Sequence, residues 1–292
     1  MTLRYAYNTN GCAHHRLEDA VALIADAGYD GIALTLDFQH LDPYRPGWER
    51  HAERLGTDLA RRGMGTVVET GARFLLDPAI KHEPTLVSPT LEGRMRRVDF
   101  LGRAIRVAAI MRAEAVSFWA GVPRPGVDPA QAWDWLRVGI EQVSALAETE
   151  GVVLALEPEP GMLIETVDDY ARLCAGLGRS APRLALDTGH CLVTGERDPA
   201  AAVREFAPCL GTVSIEDMKR GKHLHLPFGT GDMDMPSVLG ALRDVAFDGL
   251  ACVELSRESP RADRAIPEAI DWLRACEAAL PPLGSPLTAA AE

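Results

Sequence analysis

The sequence predicts a single (β/α)8 TIM barrel, and three observations carry that expectation. Eight short runs rich in β-branched residues recur along the 292 residues, each followed by a longer stretch of helical period. Several of the short runs are apolar almost throughout, the mark of strands buried on both faces of a parallel sheet. No GxGxxG opens the first helical stretch and no Walker sequence occurs, which disfavours an open doubly wound sheet. Residues 1–280 are assigned to the barrel, and 281–292 (PPLGSPLTAAAE) are expected to form a disordered tail.

The strand candidates, in order, are LRYAYN (3–8), GIALTL (31–36), GTVVET (65–70), AVSFWA (115–120), VVLALE (152–157), PRLALD (182–187), GTVSIE (211–216) and LACVEL (250–255). Between them lie amphipathic stretches such as LEDAVALIADAGY, RMRRVDFLGRAIRVAAIM and TVDDYARLCAGLG. Several open on a capping residue (Asp128, Thr166, Asp198), because a short polar side chain can accept from the free backbone N–H groups of the first turn. Others close on Gly, as in AGYDG, RRG and TEG, where the chain must turn left-handed to leave the helix.

Composition narrows the function. With 47% hydrophobic and 25% charged residues the chain can build a large core. No run of 18 apolar residues occurs, so no membrane helix is expected. MTLRYAYNTNG has neither an apolar h-region nor a small-residue cleavage site, so a cytoplasmic location is expected. The six cysteines, at 12, 174, 191, 209, 252 and 276, show no CxxC spacing and read as free thiols. A net charge of −12 argues against nucleic acid and for a small-molecule partner. The arginines of the third helical stretch (Arg94, Arg96, Arg97, Arg103, Arg106) read as a solvated helix face.

Barrel chemistry sits at the carboxyl ends of the strands. Here those ends carry Glu69, Glu157, Asp187, the pair Glu216 and Asp217, and Glu254. Five such ends around one mouth repel one another, and a divalent cation held by carboxylate and imidazole relieves that repulsion. For Glu69 and Asp217, capping a helix or pairing with a nearby arginine explains the residue equally well.

LALEPEPG (154–161), LALDTGH (184–190) and ACVELS (251–256) resemble strands 5, 6 and 8 of the xylose isomerase-like barrels, a group that includes sugar isomerases, ketose 3-epimerases and endonuclease IV. The resemblance covers almost the whole chain. It implies one divalent ion (Mn, Co, Ni, Zn or Mg) held by Glu157, Asp187, position 214 and Glu254. It further implies substrate contacts from His190 and Arg220, Glu157 and Glu254 as an acid–base pair, and a homodimer or homotetramer. Position 214 is Ser rather than the family's His, and Ser is a poor ligand for such an ion. Glu216, on the same strand face and one step nearer the mouth, is a candidate replacement. His223 or His225, folding back from the following loop, is the other, and one of the two is expected to face the mouth. The pair also resembles the Asp-x-His ligands of endonuclease IV, which would allow a second metal. His225 is expected to take part as ligand or proton shuttle.

Substrate contacts are expected from several further residues. The long segment after strand 3, ETGARFLLDPAIKHEPTLVS (69–88), has the length of a binding loop and offers Arg73, Lys81 and His82 to a carboxylate, a phosphate or sugar hydroxyls. Asn8 and Asn10 supply directional hydrogen bonds to a polyol, and Trp119 can stack on a sugar face or simply pack. The leading expectation is a metal-dependent isomerase or epimerase of a sugar, sugar phosphate or cyclitol in carbohydrate metabolism, acting through an enediolate. The same chemistry with a β leaving group would give a lyase or dehydratase. Phosphodiester hydrolysis and a non-catalytic metabolite-binding barrel rank lower.

Overall fold

In the computed structural model, which describes residues 2–282, the eight expected strands close into a parallel barrel. They are β1 (Arg4–Asn8), β2 (Gly31–Thr35), β3 (Gly65–Glu69), β4 (Ala115–Trp119), β5 (Leu154–Glu157), β6 (Arg183–Asp187), β7 (Leu210–Ile215) and β10 (Leu250–Val253). The order around the barrel is β1-β10-β7-β6-β5-β4-β3-β2, so the last barrel strand closes against the first. The tail expected at 281–292 falls, from residue 283 on, outside the described residues.

Strand alternation builds two cores. Ala6, Ala33, Val67, Leu250 and Cys252 fill the barrel interior, small enough for the strands to close. The alternate residues, among them Tyr5, Tyr7, Ile32, Leu34, Phe118, Leu156 and Val213, face outward beneath the helices. Both faces are therefore buried, which is why the strands read as continuous apolar runs. The helices follow as α1 (Leu17–Asp26), α2 (Trp48–Arg62), α3 (Leu91–Met111), α4 (Pro129–Glu150), α5 (Val167–Leu177), α6 (Thr188–Thr194), α7 (Pro199–Phe206), α8 (Met235–Asp244) and α9 (Ala262–Ala279). Asp128, Thr166 and Asp198 cap α4, α5 and α7 as expected, Thr166 in a reciprocal capping box with Asp169. None of the helices among the described residues is long and apolar enough to cross a membrane.

Three features depart from the sequence reading. The short helix α6 follows β6 directly. A two-stranded antiparallel hairpin, β8 (Asp217–Lys219) and β9 (Lys222–Leu226), rises from the end of β7 and turns at Arg220-Gly221, with Gly221 in the left-handed region. Arg97 is not on a solvated face. It is 1% exposed, its guanidinium lies 4.3 Å above the Trp119 ring, and Nη2 donates to the Thr70 carbonyl at 2.8 Å. The helical period places it in line with Phe100, Leu101 and Ala104 on the stripe that faces the barrel.

Candidate active site and ligand cluster

A cavity of about 610 Å3 opens at the carboxyl ends of the strands. Asn8, Glu69, Trp119 and Glu157 reach it from the last positions of β1, β3, β4 and β5. Glu254 reaches it from the residue after β10, and His190 from α6.

The segment LDTGH shows how the sequence builds one corner. Asp187 ends β6 and caps α6, its Oδ1 accepting from the N–H groups of Gly189 (2.8 Å) and His190 (3.1 Å). Its Oδ2 is left buried and without a hydrogen bond, 3.3 Å from His190 Nε2. Thr188 ties α6 to β7 by donating to the Ser214 carbonyl at 3.1 Å. Gly189 is required by close approach, because a Cβ there would lie 2.2 Å from Glu216 Oε1. His190 Nδ1 donates to the Pro158 carbonyl at 3.0 Å, which on a neutral ring makes Nε2 the acceptor, 3.1 Å from His223 Nε2.

Three groups of ligating side chains meet here: Asp187, Glu216 and His225; Glu157, Asp187 and His190; Glu159, His190 and His223. They share Asp187 and His190 and so form one continuous field of ligand atoms. Glu216, the residue after β7, is fully buried, and neither of its carboxylate oxygens has a hydrogen-bond partner among the described residues. His225 Nδ1 is likewise unpaired and lies 4.0 Å from Glu216 Oε2. Asp187, Glu216 and His225 each bring one ligand atom within 4.8 Å of the other two, and all three carry buried atoms without a hydrogen-bond partner. Leaving such groups unmatched is costly, and a divalent cation with oxygen and nitrogen ligands satisfies all of them. The residues fit one metal ion.

Electrostatics agree with that fit. Burial, reinforced by Glu159 and Asp187, pushes the Glu157 carboxyl well above its ordinary range. Burial and the neighbouring Asp187 do the same to Glu216. Glu69 is pushed up to about 8 by burial and by Glu254. Burial alone would lower His190, but Asp187 and Glu159 outweigh it and hold the imidazolium above its ordinary value. Burial would likewise raise Asp187, yet His190 and His225 hold it below the usual carboxylate range. His223 is lowered to about 4 by burial and by His190.

The sequence profile of the xylose isomerase-like TIM barrel family matches residues 21–276. The chain belongs to that family. Among curated proteins it is 22% identical over 145 residues to an inosose dehydratase of Clostridium perfringens, a match covering 44% of this chain and 48% of that one. The matched part thus spans about half the length of the curated relative. Among solved structures, an L-ribulose 3-epimerase superposes with a TM-score of 0.76 at 19% identity, covering 95% of each chain. A protein described as IolI with a bound zinc atom superposes at 0.74 and 16% identity, over 94% of this chain and 98% of that one. At these identities the superpositions establish the shared fold.

Within this xylose isomerase-like barrel, the expected site residues fall into two groups. Glu157, Asp187, His190, Glu216 and His225 come together as ligand atoms, whereas Asn8, Arg73, Trp119 and Glu254 line the cavity outside the ligand clusters. Glu254, expected as a ligand, accepts from Asn10 Nδ2 through Oε1 at 2.7 Å. Arg220 stands exposed at the hairpin turn, outside the cavity lining. Both His223 and His225 line the cavity, not one of them, because residues two apart on a strand share a face. Asp217 serves the structure, its carboxylate accepting from the N–H groups of Gly229, Gly231 and Met233 and so fixing the loop after β9.

Glu159 and Arg257 were not singled out from the sequence. The spacing Glu157-Pro158-Glu159 was a usable signal, since an extended chain puts both carboxylates on one side. Arg257 carried none.

Proposed function

We propose that this protein is a divalent-metal-dependent isomerase or epimerase of a sugar-like substrate, working by proton transfer at a carbon next to a carbonyl. The observation that carries the reading is the pair Glu157 and Glu254, both lining the cavity and flanking the β6–β7 ligand cluster from β5 and β10. Asp187, Glu216 and His225 would hold the metal, which supplies Lewis-acid polarisation of the substrate carbonyl and stabilises the oxyanion that develops there.

The chain's own residues do the rest. One carboxylate takes the proton from its face of the carbon and the other returns one on the opposite face. Asn10, donating to Glu254 Oε1, orients that carboxylate for the part of the base. Glu157, raised by burial and by neighbouring acids, is suited to hold the proton that is returned. His190, held on Nδ1 by Pro158, presents Nε2 toward Asp187 and His223 and can position a substrate oxygen beside them.

A second reading, a dehydratase, is favoured by the curated relatives, which are named inosose dehydratases. It differs in the fate of the same carbanion: loss of a β-hydroxyl as water rather than reprotonation. Incubating manganese-loaded protein with a panel of ketoses and inososes in D2O separates the readings. Deuterium at the α-carbon without loss of 18 mass units supports the isomerase, and water loss supports the dehydratase. No exchange with any substrate, at full metal occupancy, would refute both.

A further inference from the structure

The metal and proton chemistry uses acids at the ends of β5, β6, β7 and β10 and histidines of α6 and β9, and leaves the cations of the cavity without a role. Arg73 and Lys81 line it from the loop after β3, and Arg257 from the loop after β10. In the ring of strands β3 stands four places from β7, so the loop that carries Arg73 and Lys81 leaves the barrel opposite β7.

Arg73 is held in place from behind. Its Nη2 donates to the Asn10 carbonyl at 2.8 Å, and its Nη1 lies 3.5 Å from Oδ2 of the buried Asp37. Asp37 is itself fixed, since Oδ1 accepts from the N–H groups of Gln39 and His40. The guanidinium therefore has a set orientation and keeps further N–H donors. Lys81 and Arg257 form no ion pair among the described residues. In a chain with 42 acids to 30 lysines and arginines, acidic partners are plentiful. Two unpaired cations at the rim of a pocket whose floor is crowded with carboxylates mark a place for a negative charge brought from outside.

We propose that the substrate of this site carries an oxyanion group, carboxylate or phosphate, held by Lys81 and Arg257 beside the anchored Arg73. The inference rests on the proposed function only in treating the cavity as the substrate site. An anion held by these cations would leave the remainder of a polyhydroxylated molecule in the cavity, beside the ligand cluster. Charge-assisted contacts of this kind bind more strongly than neutral ones and fix direction as well. A neutral polyol would leave these cations solvated and gain nothing from them.

The test is titration calorimetry on the full chain with three probes: inorganic phosphate, D-gluconate and neutral D-sorbitol. Wild type, Lys81→Met and Arg257→Met are compared, each freed of metal by chelation so that no bound ion can coordinate the anion. Both substituted residues are exposed, so the variants are expected to fold. The expected result is that phosphate or gluconate binds wild type at least about tenfold more tightly than sorbitol, and that either substitution removes most of that advantage. The tighter of the two anions identifies the group as phosphate or carboxylate. Equal binding of all three probes, or an anion preference that survives both substitutions, would overturn the inference. Metal content of the same preparations before chelation is read separately. A lack of metal would count against the proposed function and leave the anion result to stand or fall on the titrations.

Discussion

Replacing Glu216 with Met should move stability in opposite directions with and without metal. Met is unbranched and of similar length, so it can occupy the slot beside Gly189 and Met218 without a polar group. In wild type that slot holds a carboxyl that is 0% exposed and has no hydrogen-bond partner. A buried unsatisfied polar group costs roughly 1–3 kcal/mol. In chelator the variant should therefore be more stable by about that amount, which for a domain of this size raises Tm by roughly 2–6 °C. With metal at a hundredfold excess over its Kd, wild type should gain about 2.7 kcal/mol by linkage. The variant, having lost a ligand, should gain little. Thermal unfolding of both proteins in chelator and in a Mn2+ or Zn2+ series measures all four corners. A variant that melts lower than wild type in chelator, or gains as much from metal as wild type does, would refute the placement of Glu216 as a ligand.

Three further outcomes follow from the same geometry. Gly189→Ala should displace Glu216, because the added methyl would meet Oε1 at 2.2 Å, and should cost about 1–3 kcal/mol of stability together with a fall in metal affinity read by calorimetry. Asp217→Asn should weaken the three N–H contacts that fix the loop after β9, costing about 2 kcal/mol in chemical denaturation while leaving metal content unchanged. The pH dependence of the metal-free protein has a definite sign. Glu69 (raised to about 8), Glu157, Glu216 and His190 all have folded pKa values above their unfolded ones, so the folded state holds the extra protons and their stabilisation fades as pH rises. His82 and His223, lowered to about 4, act oppositely but are neutral in both states above about pH 7. Stability in chelator should therefore fall between pH 7 and 8, and added metal, which binds the deprotonated ligands, should flatten the slope. A Tm that rises over that interval in chelator would contradict the assignment.

The parts of this molecule that were legible in its sequence are those where one local rule sets the residue. The strands are apolar on both faces because helices cover one side and the barrel interior the other, and each ends within a few residues of its predicted limit. Asp187 and His190 were legible because the cap of α6, the close approach at Gly189 and a place in the candidate ligand clusters all fall on a single run of four residues. The hairpin β8–β9 was not, since its strands are short and charged and only its pairing reveals it. Its pairing leaves Arg220 exposed at the turn, while His223 and His225 both line the cavity. Nor could local spacing show that Glu254 would be held by Asn10, because that contact joins residues 244 positions apart. Arg97 carried a readable helical period, yet its charge suggested solvent. A guanidinium seated on the Trp119 ring and donating to a carbonyl is a tertiary solution that composition does not reveal.

The most direct test of the whole account is elemental analysis of untagged protein prepared without chelator, for wild type, Asp187→Asn and Glu254→Gln. Asp187 belongs to two of the three ligand clusters and contributes an unpaired oxygen, whereas Glu254 belongs to none of them. About one equivalent of a divalent metal is expected in wild type, retained in Glu254→Gln and lost in Asp187→Asn. Metal absent from wild type, or lost from Glu254→Gln and kept by Asp187→Asn, would contradict a site built on Asp187, Glu216 and His225.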